Sequence, residues 1–479
     1  MREFFTQKSI LGNPQTALLL AGFLGIRILS FLFFQHPILQ GMVVLAVILC
    51  VVFLYVVNPH WAWCVLLTEL FLGGAGHFFE LGGISMRALL LAIFLILWSI
   101  DGLRKKTLRT EIDARHPLFY SGIILFLFIL WGGLRGVWLE HPIPAVFRDV
   151  IPFVFFALVF PACHFFKQKK ERSYLLRLVR AFIIGSALWS LVLFIVFSSN
   201  FMEVHGTFYT WLRDVAAAKI TDMHTGFFRI VFPEHLLIVP FTLIITSLLM
   251  NKETQNPLLR LFQFLSLSIL VFNLSRTYFL ALFLGLLVLT YRHTWKVWMR
   301  EAGIAILTIG VLFTGIHLAA SGFQSPGWEL FGIRIMSVVA PTIEESSANR
   351  MALLGPLSAM IQTHPLLGSG LGASLTFVPP QQSEPITTAN FDWGYLELWA
   401  ELGLGGLITY LFFLVALLFF LIQKIRGASS YHNFFLGLFA GTVSMLVMAI
   451  TSPVLSHVFG ILFLAGTAMV ATKPDTSGL

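Results

Sequence analysis

The chain has 479 residues, of which 57% are hydrophobic and only 11% charged. A soluble domain of this size needs more charge to cover its surface, so the composition excludes a globular water-soluble protein and leaves a polytopic membrane protein. The formal charge of +8 does not mark a nucleic-acid binder, because the cations crowd into short links beside apolar runs.

A helix needs about 20 apolar residues to cross the hydrocarbon of a bilayer, and about fourteen such runs follow one another. They lie near 15–34, 38–57, 61–79, 84–100, 118–138, 150–166, 178–198 and 227–250, then 258–274, 277–291, 301–319, 393–422, 433–451 and 454–471. The expected fold is all-α, with about 12–14 transmembrane helices and some short runs able to re-enter rather than cross. Arg27 and Glu69 fall inside the first and third runs, where an ion pair between them is the economical expectation. Cys50, Cys64 and Cys163 sit within apolar runs without CxxC spacing, and read as small core residues rather than disulfides or metal ligands.

The links at 101–116, 167–180, 251–260, 292–300 and 423–431 together hold eighteen Lys and Arg, whereas the alternate loops and span ends hold nine over a longer sequence. Short cationic loops are retained in the cytoplasm, which predicts cytoplasmic termini and places the long loops near 199–226 and 320–392 outside. Eight of the nine outer cations are Arg, whose planar fork suits phosphate. Four segments follow: a transmembrane bundle over 1–198, helices with a first outer loop over 199–319, a large outer loop over 320–392, and C-terminal helices over 393–479.

Both outer loops read as structured. In the first, Phe208, Trp211, Leu212, Val215 and Lys219 recur at helical spacing, as in a short helix lying on the membrane surface. In the second, Glu344 to His364 reads as a helix carrying Arg350 near its N-terminal end. No internal repeat is visible, unlike the repeat-built transporters.

Arg229 stands in GFFRIVFPEHLLIVP and Arg276 in NLSRTYFLALFLG, where two apolar runs meet almost without a loop. An arginine this close to hydrocarbon is costly unless it reaches headgroups, a carboxylate or an anionic ligand. Snorkelling to lipid phosphates accounts for either alone; two on one face also fit a pyrophosphate clamp. Glu234 and His235 lie just inside the eighth run beside Pro233, where helix irregularity can satisfy them. The glycines at 368, 370 and 372 permit tight turns, but no GK[ST] follows, so HPLLGSGLG is not a nucleotide loop. Asp392 precedes the next run, and Glu397 and Glu401 share one face of its first turns.

Three blocks, FNLSRTYFLAL, NRMALLGPLSAMIQTHPLLGSGLG and DWGYLELWAELGLGGL with the later TSPVLSHVFG, make the C-terminal half resemble the O-antigen polymerase and O-antigen ligase superfamily of bacterial membrane glycosyltransferases. The resemblance implies a GT-C-like fold in the inner membrane that works on its periplasmic side. It implies an undecaprenyl-pyrophosphate-linked glycan donor, a glycan acceptor on a lipid carrier, surrounding membrane lipids, and neither a metal nor a cofactor; it admits a chain-length regulator protein. Carried over by position, Arg276 and Arg229 would bind the donor pyrophosphate, and Asp392 stands where the acceptor-activating base is expected. Arg350 is a further donor-binding candidate, and Glu401 a further catalytic candidate, with Glu397 or His224 the other bases to seek if Asp392 is not the base. Ligases of this superfamily commonly have His where Asp392 stands, which favours a polymerase. A ligase acting on lipid A core, a lipid-linked oligosaccharide transporter and a cell-wall polymerase are the alternatives.

Overall fold

Short His-Pro and Asn-Pro pairs start several helices of the chain, whose computed structural model describes residues 14–106, 116–223, 225–251, 255–340, 344–380, 382, 384–427 and 431–472. Pro37, Pro59, Pro117 and Pro257 open their helices, where a missing N–H costs nothing. The side chains of Asn58, His116 and Asn256 then accept from the amides of His60, Leu118 and Leu258.

The first half comprises α1 (Pro14–Phe33), α2 (Pro37–Val57), α3 (Pro59–Leu72), a small hairpin of β1 (Glu80–Leu81) and β2 (Ile84–Ser85), α4 (Met86–Lys105), α5 (Pro117–Trp138), α6 (Ile143–Val154), α7 (Val159–Phe165) and α8 (Lys169–Ser198). Next come α9 (Thr207–Asp214), an antiparallel hairpin of β3 (Lys219–Asp222) and β4 (Phe228–Val231), a 3-10 turn over Pro233–Leu237, α10 (Ile238–Leu249), α11 (Pro257–Asn273), α12 (Arg276–Val288) and α13 (Trp295–Ala320). The last part holds α14 (Trp328–Val339), α15 (Glu345–Thr363), a hairpin of β5 (Leu375–Phe377) and β6 (Ile386–Thr388), α16 (Gly394–Gly427), α17 (His432–Met448) and α18 (Val458–Thr472).

Among the described residues eight helices are long and apolar enough to cross a bilayer, and five shorter apolar helices accompany them. The protein is an all-α polytopic membrane protein; the expectation of about 12–14 spans requires both sets. α10 packs on α17, α5 on α16, and α1 on α8. At one end Arg260 pairs with Glu301 at 2.7 Å and Arg292 Nη2 donates to the Ile425 carbonyl at 3.0 Å, so three cation-rich links meet there. At the other end Arg276, opening α12, pairs with Glu344 beside α15, which brings the large loop onto the helix ends.

The structure corrects several expectations. The run at 227–250 is not one helix: β4 and a 3-10 turn lead into the short α10. The surface helix stops at Asp214, and Lys219 opens β3. Most of the 167–180 link is the first three turns of α8. Cys50 faces outward rather than into the core. Arg27 does not pair with Glu69. It donates to Glu234 at 2.8 Å and to the Leu72 carbonyl at 3.0 Å, while Glu69 accepts from Arg87 at 2.9 Å. Both pairs are buried, where a lone charge would be prohibitive.

α16 is broken at Gly403 (φ 74°, ψ 177°), a backbone conformation reserved almost wholly for glycine. The glycine loop of 365–372 enters this break. Ser369 and Gly370 amides donate to the carbonyls of Ala400 and Glu401 at 2.7 and 2.9 Å, and the Leu404 amide donates to the Pro365 carbonyl at 2.9 Å. The loop thus satisfies the Ala400 and Glu401 carbonyls and the Leu404 amide at the break. From the other side Leu371 N–H bonds the Gly132 carbonyl at 2.9 Å, Gly372 N–H bonds Asp149 at 2.9 Å, and Arg135 donates to the Gly368 carbonyl. The loop therefore locks α5, α6 and α16 together below Asp392.

Candidate active site

Arg229 sits on β4 opposite Thr221, and its Nε donates to the Asn273 carbonyl at 2.8 Å, in the last turn of α11. Cations are favoured there by the orphan carbonyls of a helix end. Leu274 then adopts a left-handed conformation (φ 44°), Ser275 takes the N-cap position, and Arg276 emerges as the first residue of α12. The α11–α12 turn thus carries Arg276 and holds Arg229 of β4 beside it.

Two further arginines arrive from the large loop. Arg276 Nη1 lies 3.0 Å from Glu344 Oε2, and Arg334 of α14 contacts the other oxygen of the same carboxylate. Arg334 Nη2 also approaches Met223 Sδ at 3.2 Å. Arg350, in the second turn of α15, has Nε 3.7 Å from Asp392 Oδ2, and Trp393 Nε1 donates to the Arg350 carbonyl at 2.9 Å. Burial, followed by the repulsion of Arg334, pushes the Arg229 guanidinium down to about 10, with Glu344 opposing and Arg350 adding to the shift. It remains charged at neutral pH. Arg276 stands within reach of the same three charges, paired with Glu344 at 3.0 Å. Four guanidiniums face two carboxylates, an excess of two positive charges suited to a dianion.

Asp392 lies in the loop before α16 with φ 58°, a conformation that costs a residue other than glycine about 1–2 kcal/mol. Neighbours hold it there: Glu397 accepts from the Phe391 amide at 3.2 Å and from the Ser456 hydroxyl at 2.9 Å. The Asp392 side chain is 38% exposed, the most open carboxylate of the group. Glu401 is elsewhere. It is buried one turn deeper, and the charges that act on it are Glu397, Asp149 and Arg148 rather than the four arginines.

The structure therefore brings Arg229, Arg276, Arg350 and Asp392 together and leaves Glu401 outside their circle. His224 lies outside the described residues. Sequence reasoning missed the joining pair, Arg334 and Glu344. Arg334 counts only as one more outer cation in the sequence; the available signal is an arginine within WELFGIRIMSVV followed, beyond the helix, by the acid that precedes α15.

Residues 261–411 match the family model described as O-antigen ligase. The match bears out the resemblance of this stretch, about a third of the chain, to the O-antigen polymerase and ligase superfamily. It takes in Arg276, Arg334, Glu344, Arg350, Asp392 and Glu401, while Arg229 precedes it. No curated protein matches the chain.

Proposed function

We propose that the protein is a glycosyltransferase that polymerises undecaprenyl-pyrophosphate-linked oligosaccharide repeats into a surface polysaccharide on the periplasmic face of the inner membrane. The observation that carries this reading is the gathering of four arginines beside Asp392 at the end of the bundle that holds both long loops. A lipid pyrophosphate is already a good leaving group. What the protein must add is stabilisation of the charge that grows on the departing oxygen, which fixed guanidiniums supply without reorganising.

In this reading the acceptor hydroxyl oxygen attacks the anomeric carbon from the face opposite the pyrophosphate. The carbon–oxygen bond to the donor phosphate breaks, and its electron pair leaves with the lipid pyrophosphate held by Arg229, Arg276, Arg334 and Arg350. The hydroxyl proton passes to the Asp392 carboxylate as the new glycosidic bond forms, and the anomeric configuration inverts. Arg350 orients that carboxylate through its 3.7 Å contact. Acceptors are repeats on a second lipid carrier, and no step calls on a metal or a nucleotide sugar.

The family description favours a second reading, in which the same transfer goes to lipid A core. Purified protein in lipid nanodiscs, supplied with a lipid-linked repeat unit, separates the two. A ladder of lengthening products without added lipid A core supports polymerisation. Product only when lipid A core is present supports ligation. Loss of either product in Arg276→Ala, with the protein still folded, ties the transfer to the arginine cluster; undiminished transfer would overturn the reading.

A further inference from the structure

Glu344 bridges Arg276 and Arg334, with Oε2 3.0 Å from one guanidinium and Oε1 against the other. The three residues come from separate elements: Arg276 opens α12, Arg334 lies on α14, and Glu344 precedes α15. The carboxylate stands at the junction of the loop with the helix ends, 22% exposed and reachable from solvent. It contacts Nη1 of each of two guanidiniums that the proposed function assigns to the donor phosphates. A diphosphate that takes both Nη1 groups in a forked grip displaces the carboxylate from them.

We infer that Glu344 is a resident counter-anion at the diphosphate position, a positioning residue that the donor displaces and that returns to help expel the lipid pyrophosphate; the inference rests on the donor-site reading above. A diphosphate carries more charge and more acceptor oxygens than one carboxylate, and arginine forks bind phosphate oxygens in pairs. The donor therefore wins the exchange. After transfer the departing lipid pyrophosphate bears an additional ionisable oxygen and grips the arginines harder than the donor did. Competition from Glu344 weakens that grip and keeps turnover moving. While the site waits, the same carboxylate neutralises part of the repulsion among the guanidiniums and holds Arg276 and Arg334 aimed at one point.

The variant Glu344→Gln keeps the shape and removes the charge. With inorganic pyrophosphate as probe, titration calorimetry on protein in nanodiscs should show binding about tenfold tighter than in the unmodified protein, because a competing internal occupant has been removed. Donor KM should fall, kcat should fall with it, and added pyrophosphate should inhibit at lower concentration. A merely structural role predicts weaker binding and a higher KM. Pyrophosphate affinity unchanged or weakened in Glu344→Gln, while Arg276→Ala abolishes binding, overturns this inference alone. No pyrophosphate binding to the unmodified protein, with normal transfer by Arg276→Ala, overturns the donor-site reading and the inference with it. Should Glu344→Gln not fold, the unmodified protein supplies the test. The Ser347 and Ala348 amides bond the Glu344 carbonyl at 3.0 Å, and their hydrogen exchange should quicken when pyrophosphate draws Glu344 off; unchanged or slowed exchange overturns the displacement.

Discussion

Asp392 is held in a strained turn by neighbours that have little else to do. Glu397 spends both carboxylate oxygens on the Phe391 amide and the Ser456 hydroxyl, and Trp393 reaches back to the Arg350 carbonyl. Strain of this kind persists when the surroundings over-determine it, and it is found where a side chain must be aimed. Asp392→Asn should therefore leave the fold and donor KM close to unchanged and lower kcat by about 10²–10⁴-fold, the usual contribution of a positioned proton acceptor. Rates of chain growth on the purified enzyme check this. Full activity in Asp392→Asn would move the role of base to another carboxylate, Glu397 or Glu401 on the first turns of α16. A different residue-scale effect is expected at Arg27 and Glu234, paired at 2.8 Å with both side chains almost fully buried. Removing either charge alone strands the other, at a cost of about 3–5 kcal/mol, whereas Arg27→Met combined with Glu234→Met should recover most of it. Thermal unfolding in detergent separates the cases: a double variant no more stable than either single one would mean that the two charges do not stabilise each other. This pair also marks where sequence reasoning stops. Arg27 and Glu69 are both plainly anomalous within apolar runs, but partner choice depends on helix rotation and on a strand and turn that carry Glu234 inward, none of which hydropathy records.

At the scale of elements, hydropathy located nearly every helix, because crossing hydrocarbon demands long apolar runs whatever the tertiary packing. It failed at β4, since FFRIV is as apolar as a span and joins FPEHLLIVP without a polar break. The consequence was confined to the geometry: Arg229 still arrives at the expected end, on a hairpin instead of a helix. The glycine loop was legible as a tight turn, yet its purpose was not, because the helix break it fills is a property of Gly403 some thirty residues later. That interlock makes a sharp prediction. A Cβ on Gly403 would meet the Leu366 carbonyl and the Gly368 amide, and one on Gly368 would meet the Glu401 carbonyl and the Gly403 amide. Those atoms are backbone and cannot step aside. Gly403→Ala and Gly368→Ala should each cost at least about 3 kcal/mol, from the forbidden φ and the collision together. Gly355→Ala, on α15 with open space around it, should be neutral or slightly stabilising. Melting curves of the three variants decide it, and equal behaviour of all three would mean that the interlock contributes nothing.

For the whole molecule the decisive property is which end faces which side of the membrane. The arginine cluster gathers where the long loops meet the helix ends, and the cation-rich links meet at the opposite end. Retention of short cationic links in the cytoplasm would then turn the cluster outward, to the face where the proposed lipid-linked donor would meet it. Labelling tests this directly in a variant whose native cysteines, Cys50, Cys64 and Cys163, are first replaced by alanine. Gln382→Cys lies in an exposed part of the large loop, and Thr294→Cys lies exposed in a cation-rich link. A membrane-impermeant maleimide should label Gln382→Cys in intact spheroplasts and Thr294→Cys only after permeabilisation. The reverse pattern would turn the four arginines towards the cytoplasm. A donor presented on the periplasmic face could not then reach them, and the guanidiniums would have to serve a phosphate of another kind.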